Sequence, residues 1–223
     1  MSTAVLAVKQ TATNQERDEA SYYDEATRHY ASMRATFDTT AGYRNVLGVR
    51  VQTPISASNR GGSYDDFVWT LWISADGTKH ATQYEANTEP SQRYEDHPRS
   101  GGQDANRDGR DDLGRLPTGV YTYANTLITR PVIGNVFRLT EAQRIERDVN
   151  HDGYFNEADT ALITNPAAMN EGQTMHFHQG GRNITGSAGC QTMRPDVWTR
   201  FIADIARGRR AGQRSFTYVL INQ

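Results

Sequence analysis

One cysteine, Cys190, stands among 223 residues, so the chain can form no intrachain disulfide. An excess of charge of either sign is also lacking: 24 Lys and Arg against 26 Asp and Glu leave a net charge of -2. Binding a polyanion needs clustered cations, and the only basic cluster is Arg207-Gly208-Arg209-Arg210, read as a solvated helix end. Nucleic acid is therefore not an expected partner. No apolar run approaches the roughly 20 residues of a membrane helix, so stable membrane insertion is not expected. Residues 1–9 lack the charged start and long apolar stretch of a secretory signal, which predicts synthesis in a cytoplasm without one.

The length suits one good core, and most of the chain reads as strands. In residues 10–38, Tyr22, Ala26, Tyr30, Met33 and Phe37 recur at three- and four-residue steps, predicting an amphipathic helix. The segment 1–40 is thus expected to pack as a helical unit on a main domain of 41–223. From about residue 44 the period shortens. Residues 46–51, 67–73, 79–84, 120–123, 135–139, 175–178 and 216–221 read as strands, with a hairpin turn at Asp76-Gly77. Pro195 opens a helix whose buried stripe is Trp198, Phe201, Ile202 and Ile205, with Gly208 as its stop. The fold class expected is mainly β with flanking helices, an α+β domain.

Two acidic loops interrupt this pattern. From Asp148 to Asp159, oxygen-bearing side chains fall at loop positions 1, 3, 5, 9 and 12, as Asp148, Asn150, Asp152, Asn156 and Asp159. Gly153 stands at position 6, where the sharp turn needs it, and Tyr154 at position 7 offers its carbonyl. This spacing predicts a Ca2+ site, since a hard ion takes six to eight oxygens. Position 12 is Asp rather than Glu, as in dockerin-type loops. Thr140-Glu141-Ala142-Gln143 reads as a capping box opening the entering helix. In 104–115, Asp104, Asn106, Asp108 and Asp112 repeat the first half, but Arg115 holds position 12. That loop is a degenerate turn, or it borrows a ligand for a second ion. No organic cofactor is expected.

Cys190 lies in Gly186-Ser187-Ala188-Gly189-Cys190, twelve residues after His178. A thiol needs a base to attack a carbonyl, and strand alternation puts His176 and His178 on one face with Met175 and Phe177 on the other. One imidazole then serves as base and the other as support or substrate contact. Gly189 permits close approach, and the amides of Gly189 and Cys190, beside the following helix, are candidate oxyanion donors. A buried cysteine acting as a small hydrophobe is the plain alternative. Zinc held by His176, His178 and Cys190 is a third reading by ligand type.

Leu116-Pro117-Thr118-Gly119-Val120-Tyr121, Phe177-His178-Gln179-Gly180 and Ser187-Ala188-Gly189-Cys190, in that order, resemble the L,D-transpeptidase catalytic domain, the YkuD-like fold, over roughly residues 65–206. The resemblance implies Cys190 as nucleophile and His178 as base, oriented by a backbone carbonyl, with the acidic loops as insertions. Ala188 and Thr192 stand where the family has His and often Arg, as in divergent members from phage lysis proteins and interbacterial toxins. It further implies peptidoglycan stem peptides as partner and action in the periplasm or cell wall after release or delivery. Hydrolysis of an L,D bond, by a carboxypeptidase or endopeptidase, is favoured over transpeptidation. The alternative from another class is a non-catalytic, calcium-dependent wall-binding module.

Overall fold

A computed structural model describes residues 18–95 and 103–223. In chain order, α1 (Glu19–Ser32) is followed by β1 (Asn45–Arg50), β2 (Asp66–Ile73) and β3 (Lys79–Ala86). Then come β4 (Gly114–Arg115), β5 (Gly119–Ala124), β6 (Ile128–Arg130), β7 (Gly134–Phe137) and β8 (Glu146–Arg147). α2 (Glu157–Leu162), β9 (Phe177–Gln179), β10 (Gln191–Met193), α3 (Pro195–Arg210) and β11 (Ser215–Asn222) complete the order. This is the mixed, mainly sheet architecture expected of the α+β class. Among the described residues, no helix is long and apolar enough to cross a membrane.

Five strands form the main sheet in the order β3-β2-β1-β11-β5, with β1 and β11 parallel and the other pairs antiparallel. Alternation sends Val46, Phe216, Tyr218 and Leu220 to one face and Leu47, Val49, Val219 and Ile221 to the other. Both faces are covered. On the second face, α1 lays Tyr23, Ala26 and Tyr30 against Trp69 and Leu71. The Tyr30 hydroxyl donates to the Thr217 carbonyl at 2.8 Å and accepts from the Val46 amide at 2.8 Å. The predicted apolar stripe is therefore correct at Ala26 and Tyr30, while Tyr22, Met33 and Phe37 pack at its margin. The helix is shorter than residues 10–38, and 10–17 lie outside the described residues.

The first face holds the larger core. A smaller sheet of order β10-β9-β7-β6 packs there with α3, around Tyr123, Phe137, Phe177, Phe201 and Phe216. Tyr123 stacks on Phe216 at 5.6 Å and meets Phe177 edge-on at 4.8 Å. α3 runs through Gly208 to Arg210, so the predicted stop comes too early. Gly208 is a close-packing position inside the helix rather than its stop: a side chain there would collide with the Gln213 side-chain amide, which bonds the Arg44 backbone.

The capping box at 140–143 starts no helix. That segment bends at Thr140 and Glu141 and then pairs with 169–172: the Gln143 amide donates to the Gly172 carbonyl at 2.8 Å and the Ile145 amide to the Met169 carbonyl at 2.9 Å. Pairing with 169–172, and of β8 with β4, outweighs the local helix signal. The helix leaving the loop does form. α2 is capped by Asn156, with Asp159 completing a reciprocal box.

α3 is pinned to the main sheet by a buried charge. Asp204 accepts from Arg44 Nε at 3.1 Å and Nη2 at 2.8 Å, and its other oxygen from Tyr84 at 3.2 Å and from Thr70. The Arg44 guanidinium also lies 4.2 Å over the Trp72 ring. Asp204→Ala strands this guanidinium and should cost about 3–5 kcal/mol of stability. Urea unfolding measures it, and a loss under about 1 kcal/mol would contradict the anchoring role.

Candidate active site and acidic loops

The short parallel pair β9–β10 brings the two motifs together. Gln191 stands level with Phe177 and Thr192 with His178, and the Gln191 amide donates to the His176 carbonyl at 2.8 Å. Cys190 therefore enters the sheet beside His176, with His178 two residues further along. Met175 and Phe177 fill the aromatic core, and His176 and His178 are buried on the opposite side of the strand, as alternation requires.

His178 Nδ1 lies 2.8 Å from the Gln179 carbonyl oxygen. A carbonyl only accepts, so Nδ1 carries the proton and Nε2 keeps its lone pair. Burial lowers the His178 pKa, opposed by that bond, so the ring is neutral near pH 7. His178 also lines a cavity of about 490 Å³ with Tyr94, Asn135, Gly180, Gly186 and Trp198. Cys190 is not in its lining.

The thiol itself is half-buried. Its Sγ donates to the Thr174 carbonyl at 3.5 Å, rather than to either imidazole. Burial pushes its pKa up to about 11; the nearby His176 amide opposes this and Glu171 adds to it. The resting state is a protonated thiol beside neutral imidazoles. Among the described residues, no cation acts on Sγ to favour the thiolate.

Ser187 and Gly189 build the turn. Ser187 is buried, accepts from the Gly189 amide at 3.0 Å and donates to the Cys190 carbonyl at 2.7 Å. It staples both ends of the turn and is no reactant at rest. Gly189 has φ +129, and a side chain there would collide with the Gly114 carbonyl. Its amide is spent on Ser187, so it is no free oxyanion donor. The Cys190 amide has no hydrogen-bond partner among the described residues and remains one. The following helix starts only after β10, so its dipole stands away from this amide.

The sequence reading missed Tyr64. Its hydroxyl donates to the Gly181 carbonyl at 2.8 Å and lies 3.1 Å from that of Ile184, holding the 180–186 loop beside the cavity. A tyrosine 117 positions away carries no local signal of that role.

The acidic loops share one backbone. Arg107 and His151 at position 4 have φ 65 and 58, and Gly109 and Gly153 at position 6 have φ 89 and 87. Asp104 and Asp148 accept the glycine amides at 2.9 and 3.0 Å. Asn106 and Asn150 accept from Asp108 and Asp152 at 3.0 and 2.9 Å, and those aspartates accept from Arg110 and Tyr154 at 2.8 Å each. They differ in closure. Asp159 accepts from the Val149 amide at 2.8 Å; in the first loop Asp112 takes the equivalent Ala105 amide at 2.6 Å, three residues early. Arg115, at position 12, pairs with Glu89 and Glu146 instead. Asp112 also faces His151 Nε2 at 3.3 Å. Asp148 is buried, its Oδ1 has no partner, and burial with the charges of Asp159 and Asp152 raises its pKa to about 6. Among the described residues, no three His, Cys, Asp or Glu side chains close on a common metal position, and His176, His178 and Cys190 form no zinc site.

Burial, then the charges of Arg130, His178 and Arg138, hold His176 down to about 4, against about 6.5 unfolded. Between these values the unfolded chain binds the extra proton. The stability this neutral ring provides is complete above about pH 6.5 and is lost as pH falls toward 4. Thermal unfolding of wild type and His176→Gln should show wild type losing about 2 kcal/mol more between pH 7 and 4.5; parallel losses would contradict the assignment. No family model, curated protein or solved structure matches this chain.

Proposed function

We propose that the protein is a peptidoglycan-directed cysteine enzyme of the YkuD-like L,D-transpeptidase type, cleaving an L,D peptide bond of the stem peptide. The observation that carries this reading is the β9–β10 pair. It sets the lone thiol's turn beside His176, two residues along the strand from the neutral His178, whose Nδ1 is tied to a carbonyl and whose ring borders a cavity. The motif resemblance supplies the substrate class: the bond between meso-diaminopimelate and D-alanine in the stem tetrapeptide.

In this mechanism substrate enters beside His178, and Cys190 Sγ leaves the Thr174 carbonyl to attack the scissile carbonyl carbon. His178 Nε2 takes the thiol proton as the carbon–sulfur bond forms, and the Cys190 amide donates to the oxyanion. Collapse breaks the carbon–nitrogen bond, and His178 returns the proton to the departing D-amino acid. Water then attacks the thioester with His178 again as base, restoring the thiol and releasing a carboxylate. An amine in place of water gives transpeptidation or D-amino-acid exchange by the same route. A base with a lowered pKa stays neutral into mildly acid solution, as general-base attack from a protonated thiol requires. The protein would act as a lysis enzyme or a delivered antibacterial effector, working in the periplasm or cell wall.

The non-catalytic wall-binding module is the second reading, favoured by one observation: a thiol with its pKa pushed up to about 11 and no imidazole bonded to it. Digestion of purified peptidoglycan, followed by mass analysis, separates the two. The enzyme reading expects release of D-amino acid or shortened stems, abolition by Cys190→Ala, and a loss of about 10²–10⁴-fold in His178→Gln. Undiminished release by Cys190→Ala would overturn the mechanism, and binding without any release would establish the module.

A further inference from the structure

We propose that the 148–159 loop is a calcium site whose occupancy sets the order of the Cys190 turn. The inference goes beyond the enzyme reading and stands whether or not Cys190 is catalytic. The buried, unpartnered Asp148 Oδ1 is the observation that points to a ligand. The carboxylate sits inside the loop, its other oxygen fixed by the Gly153 amide at 3.0 Å, with the Asp152 and Asp159 carboxylates near enough to repel it. An uncompensated carboxylate in such a place is costly, and a hard divalent cation relieves both the vacant lone pairs and the repulsion. The remaining donors are also oxygens: the Asn150 and Asn156 amides and the Tyr154 carbonyl. Part of the set is thus neutral.

Two routes join this loop to the nucleophile's turn. In the first, the Ile55 amide donates to the Gly153 carbonyl at 3.1 Å, and the Ile55 carbonyl accepts from Gln92 at 3.0 Å. The neighbouring Ser91 amide and hydroxyl donate to the Ser187 carbonyl at 2.9 and 3.2 Å, and Ser187 staples Gly189 to Cys190. In the second, the Asp148 amide donates to the Leu113 carbonyl at 3.0 Å, and Arg147 pairs with Gly114. The Gly114 carbonyl is the group packed against Gly189 so closely that no side chain fits. A third link runs through His151, whose Nδ1 is 2.7 Å from Glu95, beside Tyr94 on the cavity wall. Tightening the loop around an ion therefore fixes Gly153 and Asp148, the two residues from which the main routes to Ser187 and Gly189 begin.

The test uses the whole protein, calcium chloride as probe and magnesium chloride as control. Titration calorimetry reads binding, and hydrogen exchange reads the amides of 187–191. Calcium should bind in the micromolar to millimolar range of such loops and slow exchange at Gly189 and Cys190 about tenfold or more, while magnesium does neither. Asp148→Asn and Asp152→Asn should lose both effects while circular dichroism shows them folded; Asp104→Asn should keep the effect on the turn. Absence of calcium binding, or binding that leaves exchange at 187–191 unchanged, would overturn the proposal. Neither readout involves peptidoglycan, so a failed digestion leaves this result intact, and the reverse.

Discussion

The parallel contact of β9 with β10 is the constraint on which the rest depends. It is only three residues on each side, too short to hold itself. It persists because its inner face, Met175, Phe177 and Met193, is locked into the aromatic core formed with Tyr123, Phe201, Phe216 and Tyr218. Its outer face is thereby free to carry polar groups under burial. His176 and His178 are neutral for that reason, and Cys190 is held protonated by the same desolvation. The core thus sets the chemistry of the site as well as its position.

Much of this was legible in the sequence, because period-2 alternation reports faces directly. Val46 through Val49 and Phe216 through Ile221 divide between the two cores as the pattern required. The alternation of Met175, His176, Phe177 and His178 likewise predicted which side chains would face inward. What was not legible depends on long-range pairing. The capping box at 140–143 is a sound local signal that loses to backbone bonds with 169–172. Gly208 reads as a helix stop because sequence does not reveal the Gln213 side chain crowding it. In the site, Gly189 looked like an oxyanion donor, but Ser187 takes its amide; Tyr64, distant in sequence, had no visible role.

The acidic loops show how two segments of unequal sequence reach one conformation. Matching φ values at positions 4 and 6 and matching side-chain-to-amide bonds survive the loss of the position-12 carboxylate, because Asp112 reaches the Ala105 amide from position 9. The loops share a small apolar base of Ala105, Val149, Ala168 and Met169, so they form one insert resting on the β4–β8 pair. That pair presents Gly114 to Gly189, which makes the insert part of the frame around the cysteine.

The central claim is acyl transfer through Cys190, and its most direct measurement is intact-protein mass spectrometry after mixing with a purified stem tetrapeptide ending in D-alanine. The account predicts a transient adduct equal in mass to the tetrapeptide less D-alanine, localised to Cys190 and formed far more slowly in His178→Gln. Release of D-alanine by a Cys190→Ala variant, or turnover by wild type through an adduct on any other residue, would contradict it.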